Sequence, residues 1–79
     1  MSTMSQLVEE VRVSKQMPSR AVARAIREDA GVSQKRLAEE LGVHPVTVAR
    51  WELGMRRPRG RTSIAYAEIL EALRQEIAK

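Results

Sequence analysis

Residues Ser33 to Gly54 read SQKRLAEELGVHPVTVARWELG, and this stretch decides the fold. At helical period Leu37, Ala38 and Leu41 fall on one face, and Gly42 follows directly. Glycine ends a helix in the left-handed conformation without steric cost, so a tight turn is predicted there. A second helix starts at His44-Pro45, because proline suits a first helical position, where its missing N–H would have had no partner. In that helix Val48, Trp51 and Glu52 share one side, while Pro45, Val46, Ala49 and Arg50 share another. The first side can pack, and the second sets a solvent-facing arginine among small neighbours. The pattern predicts two helices joined by a tight turn, with the second presented outward.

Working outward from this pair, Pro18-Ser19 is a helix start signal, with serine a good cap. The helix is expected to run to about Ala30, to bury Val22, Ala25 and Ile26, and to stop at Gly31. Ser33 caps the next helix, which ends at Leu41, and the outward helix covers about Pro45 to Leu53. Met55 to Arg61 reads as a loop containing Pro58 and Gly60. Thr62 or Ser63 then opens a long helix to about Ala78, with Ile64, Ile69, Leu70, Leu73 and Ile77 facing inward or toward a partner. Toward the N-terminus, Met1 to Ser5 is expected to be disordered. Leu7, Val8 and Val11 suit one face of a short helix over Ser5 to Gln16, although the alternation Val11-Arg12-Val13 also suits an edge strand. This segment either covers the core or mediates dimerisation. The expected organisation is an N-terminal extension over residues 1–18 and an all-α unit over residues 19–79, about five helices in total.

Composition narrows the functional classes. The chain has 79 residues, with no Phe, one Trp and one Tyr, so aliphatic and alanine packing must build a small core. Such a core supplies about 3–5 kcal/mol, which makes a dimer a reasonable expectation. The absence of Cys excludes a disulfide framework, a thiolate metal site and a cysteine nucleophile. No stretch reads as a signal peptide or membrane span, so a soluble cytoplasmic protein is expected. One His, no Cys and ten carboxylates spread over amphipathic faces supply no nucleophile–base set, no metal-ligand spacing and no Gly-rich phosphate loop. No enzyme, catalytic residue, metal or cofactor is expected.

The net charge of +4 is unevenly distributed: Arg50, Arg56, Arg57, Arg59 and Arg61 face one acid, Glu52, between residues 50 and 61. Arginine offers a planar bidentate fork that matches phosphate. A basic run alone is equally a solvated loop; directly after an outward helix it points to nucleic acid.

These residues together resemble the helix-turn-helix of the lambda-repressor-like (Cro/CI, XRE-like) family of bacterial and phage DNA-binding proteins. Gln34 opens the first motif helix, Ala38 stands where that family needs a small residue, and Gly42 occupies the turn. Leu37, Leu41, Val43, Val48 and Trp51 fall at its apolar positions. The flanks Arg27-Glu28, Gly31-Val32-Ser33-Gln34 and Trp51-Glu52-x-Gly54 agree, and the resemblance spans about Ser19 to Leu73. A single long final helix departs from the two shorter ones usual in the family, where its usual dimer contact lies.

The resemblance implies a transcription regulator, a repressor or Cro-like phage regulator, that binds an inverted-repeat site in double-stranded DNA as a homodimer. An antitoxin of the same family and a helical protein–protein adaptor are the alternatives. The implied base contacts fall on Pro45, Val46, Ala49 and Arg50. Arginine pairs bidentately with guanine, and Val46 and Ala49 suit a thymine methyl. For Arg50, a phosphate contact or a solvated side chain is the alternative. Phosphate contacts are assigned to Gln34, Lys35, His44, Thr47, Arg56, Arg57 and Arg59; a helix N-terminus such as that at Gln34 already favours an anion. As a cap, His44 also simply ends the turn, and Thr47 also suits a bond to its own helix backbone. Trp51 reads as core. The resemblance further implies a structural ion pair between Arg27 and Glu52.

Overall fold

A computed structural model of the chain describes residues 3–79. The described residues form five helices and no strand: α1 (Thr3–Gln16), α2 (Arg20–Asp29), α3 (Gln34–Leu41), α4 (Pro45–Glu52) and α5 (Gly60–Ile77). The protein is all-α, and α3–turn–α4 is the central helix-turn-helix.

Local chemistry sets the boundaries of the middle helices. The Ser19 Oγ accepts from the Val22 N–H at 3.2 Å and the Ser33 Oγ accepts from the Arg36 N–H at 3.0 Å, each satisfying a first-turn donor that no helical carbonyl reaches. The turn between α3 and α4 rests on Gly42, whose φ of 70° lies in the left-handed region. There the Val43 N–H bonds back to the Ala38 carbonyl at 3.0 Å and the Gly42 N–H to that of Glu39 at 3.2 Å. These two bonds are the Schellman pattern, which satisfies the last carbonyls of α3 while reversing the chain.

The core forms where α2, α3, α4 and α5 meet. Leu37 and Ala38 of α3 press against Val48 and Trp51 of α4, and Ala23, Ile26, Tyr66 and Leu70 complete the cluster. Ala38 and Val48 are fully buried. The Trp51 and Tyr66 rings lie 4.8 Å apart at 33°, the one aromatic contact of the core.

Several expectations are corrected. Residues 1 and 2 lie outside the described residues, and Thr3 to Ser5, expected disordered, already belong to α1. Residues 11–13 are helical, as the preferred reading of this segment expects, and the alternative edge strand falls away. The inward face of α2 is Ala23, Ile26 and Arg27, whereas Val22 and Ala25 are exposed. Ala23 and Ile26 pack in the core and Arg27, on the same face by the spacing of three and four, bonds Glu52 of α4, which leaves Val22 and Ala25 on the outer side. Helix α4 ends at Glu52, with Leu53 as its C-cap. Helix α5 starts at Gly60, before Thr62, because the Ser63 hydroxyl sits in the first turn and donates back to the Gly60 carbonyl at 2.7 Å instead of capping from ahead. Its buried residues are Ser63, Tyr66 and Leu70; Ile64, Ile69 and Leu73 are half-buried and Ile77 is exposed.

Helix α1 lies against α5. Its inner side carries buried Val13 with half-buried Gln6, Glu9 and Glu10, while Met4, Leu7, Val8 and Val11 face solvent. The expected apolar stripe exists, and it points away from the core.

Close approach of α3 and α4 depends on Ala38. Ala38→Leu should overpack the crossing and cost about 1–3 kcal/mol, read as a lowered Tm. A Tm equal to wild type would show that the crossing has room to spare.

Candidate nucleic-acid interface

Helix α4 divides its residues between core and solvent. Val48, Trp51 and Glu52 are buried, Pro45 and Ala49 are half-buried, and Val46 and Arg50 are exposed. Pro45, Val46, Ala49 and Arg50 therefore lie together on the open side of a helix whose other side is anchored. The helix opens with His44, whose Nδ1 accepts from the Val46 N–H at 3.1 Å, so the histidine side chain is occupied as a cap. Thr47 is half-buried in the first turn.

The anchor beneath this helix is a buried ion pair. The Arg27 Nε donates to Glu52 Oε2 at 2.6 Å and its Nη2 to Oε1 at 2.9 Å, a bidentate fork across 25 residues of sequence. A third Arg27 bond reaches the Val32 carbonyl at 2.8 Å. Gln34 donates from Nε2 to Glu52 Oε1 at 3.0 Å. The Gln34 side chain thus belongs to the network beneath α4, an engagement the sequence reading did not include; its amide retains one further hydrogen for another acceptor.

The network fixes the ionisation of its members. Burial pushes the Glu52 carboxyl up, but the hydrogen bonds from Arg27 and Gln34, with the Arg27 charge, outweigh it and hold the group below its ordinary value. The hydrogen bond to Glu52 raises Arg27 against the cost of its burial. Burial pushes the Tyr66 hydroxyl up to about 12, so it is neutral at physiological pH.

The basic segment follows. Arg56, Arg57 and Arg59 are exposed in the loop between α4 and α5, and Arg61 is exposed in the first turn of α5. Among the described residues, none of these four and not Arg50 forms an ion pair, whereas Arg12, Arg24, Arg36, Arg74 and Lys79 each pair with a carboxylate on their own helix or chain end. Lys35, in the first turn of α3, is exposed. The loop also walls a cleft of about 730 Å³ closed on the far side by Glu10 and Val13 of α1.

Sequence reasoning missed Arg20. Its Nη1 donates to the Leu53 carbonyl at 3.0 Å, where α4 runs into the loop. No spacing rule links positions 33 residues apart, so only the assembled fold discloses this contact.

An outward helix on a buried ionic anchor, continued by unpaired arginines, is the build of a DNA-binding module. A family model described as Helix-turn-helix matches residues 24–74, well over half of the chain, and the chain belongs to this lambda-repressor-like (XRE-like) family. It is a DNA-binding transcription regulator acting on double-stranded DNA. No curated protein and no solved structure matches the chain. Among the described residues, no helix is long and apolar enough to cross a membrane.

Two predictions rest on the anchor. Glu52→Ala and Arg27→Ala should each cost about 3–5 kcal/mol, because either leaves a buried charge uncompensated. The double substitution should cost less than their sum in thermal melts. Small losses in both single variants would show that the pair contributes as little as an exposed bridge. Because Glu52 is held below its ordinary value in the fold, its contribution is present above the usual carboxylate range and is lost as pH falls through the depressed value. Acid melts should show this loss in wild type and not in Glu52→Gln, whose overall stability is lower at neutral pH.

Proposed function

We propose that the chain is a sequence-specific regulator, a repressor or Cro-like phage regulator of bacterial cytoplasm, that reads the major groove with α4 as a homodimer on an inverted-repeat site. The observation that carries this reading is the placement of unpaired arginines. Arg12, Arg24, Arg36 and Arg74 are neutralised by carboxylates on their own helices, while Arg50 on the open face of α4 and Arg56, Arg57, Arg59 and Arg61 just after that helix stand exposed without one. Unneutralised guanidinium groups there release counterions from DNA when they meet phosphate.

In this reading Pro45, Val46, Ala49 and Arg50 meet base edges, Arg50 by a bidentate pair with guanine and the small apolar side chains by contact with thymine methyls. Arg56, Arg57 and Arg59 grip phosphates on one side of the helix, and Gln34, Lys35, His44 and Thr47 on the other. Residues 19–79 are the DNA-binding unit, with residues 1–18 an extension of it. The solvent-facing stripe Met4, Leu7, Val8 and Val11 supports self-association, since its spacing of three and four is that of a helix–helix seam. Four side chains cover far less than the roughly 800 Å² per partner of a stable interface, so pairing is completed on a two-fold symmetric site. Half-site centres then lie about 34 Å apart.

Selection of bound duplexes from a random pool tests this reading: inverted repeats should emerge, and recovery of unrepeated single half-sites at one protomer each would refute the dimer. Binding that is insensitive to salt would refute the phosphate contacts and favour a protein partner.

The two classes of arginine separate in a salt series on selected and scrambled duplexes. Arg50→Ala should cost about 1–3 kcal/mol on the selected site and relax preference at one base pair. Arg57→Ala should weaken both duplexes nearly equally and lower the salt slope by about one per protomer. Equal loss on all duplexes for Arg50→Ala would mean that α4 enters the groove in another register.

A further inference from the structure

We infer that Arg20 is a positioning residue of the DNA-binding surface, a clasp that holds the point where the recognition helix α4 passes into the arginine loop. This rests on the DNA-binding reading and adds a residue from outside the motif and its basic loop.

Arg20 is the first residue of α2, directly after the cap Ser19. A cation is disfavoured there, because a helix N-terminus carries partial positive charge. The guanidinium leaves that environment and reaches the opposite kind of helix end. It donates to the Leu53 carbonyl, the C-cap of α4, where unsatisfied carbonyls and the negative end of the helix favour a cation.

The next residue is Gly54, with φ 75°, and the Arg20 guanidinium lies directly over it: a Cβ at Gly54 would fall 1.3 Å from Arg20 Nη1 and 2.5 Å from its Cζ. The left-handed backbone calls for glycine, and a side chain there would displace the Arg20 guanidinium from its place over the turn. Beneath the clasp the Gly54 N–H bonds to the Trp51 carbonyl at 3.1 Å and the Met55 N–H to the Arg50 carbonyl at 2.9 Å. The chain direction into Arg56, Arg57 and Arg59 is set by this turn, and Arg20 supplies its only side-chain bond from another helix among the described residues. Arg20 thus pre-orders the loop arginines without touching phosphate itself.

The test uses the full chain with Arg20→Ala and Arg20→Lys, on selected and scrambled duplexes across a salt series, beside melts and amide hydrogen exchange. Arg20→Ala should weaken both duplexes about three- to tenfold, the range of one net hydrogen bond. The salt slope should stay as in wild type, Met55 and Arg56 amides should exchange faster, and Arg20→Lys should recover part of the affinity through a single donor. On an Arg57→Ala background the effect of Arg20→Ala should shrink, since a clasp acts through the loop it orders. A salt slope lowered by about one would make Arg20 a phosphate contact and overturn the clasp, as would wild-type affinity or unchanged exchange in Arg20→Ala. Wild type that binds no duplex would instead overturn the DNA-binding reading, and this role with it.

Discussion

The buried bridge between Arg27 and Glu52 is the constraint on which the rest of the structure depends. Arg27 belongs to α2 and Glu52 to the last turn of α4, and the same guanidinium also holds the Val32 carbonyl in the connection to α3. Gln34, the first residue of α3, closes the network on the same carboxylate. One ionic cluster thereby joins three helices in a core with only two aromatic rings. Buried charge is costly unless every lone pair and proton is matched, and here the carboxylate accepts from three donors. Among the described residues no buried side-chain nitrogen or oxygen lacks a hydrogen-bond partner, so the cluster ties the three helices together without an orphaned charge.

The same anchor explains how an eight-residue helix can be presented outward. Isolated helices of that length are marginal in water, so α4 draws its order from tertiary contacts. Val48 and Trp51 hold one side by packing, Glu52 by ionic bonds, and His44 and Gly54 fix the two ends. The opposite side then has no structural duty, and Val46 and Arg50 stay exposed. Rigidity on one face and freedom on the other are two consequences of one helix period.

Charge follows a related division. Arg12, Arg24, Arg36 and Arg74 meet carboxylates three or four residues away on their own helices, while the one acid at that spacing from the segment Arg56 to Arg61 is Glu52, which is committed to Arg27. Local spacing thus neutralises four of the helix arginines, a long-range partner takes Arg27 and Glu52 together, and the basic segment is left open to a polyanion.

The sequence alone determined the all-α class, the turn at Gly42, the caps at Ser19 and Ser33, the outward side of α4 and the family, because each is written in spacings of a few residues. Helix period and left-handed glycine need no knowledge of distant chain. It failed where burial is decided by partners far along the chain. The inward face of α2 carries Ala23, Ile26 and Arg27, the last bonded to Glu52, and Val22 is exposed. The apolar stripe of α1 could be read as core cover or as a dimer face, and among the described side chains of α1 only Val13 is buried, because α5 meets the helix on its other side. Gln34 read as a solvent-facing contact and joined the ionic cluster, while Arg20 read as nothing and holds the end of α4. Periodicity establishes that a helix has two sides; which side turns inward, and which long polar side chain crosses to another helix, is decided only when the helices pack and each buried charge must find its partner.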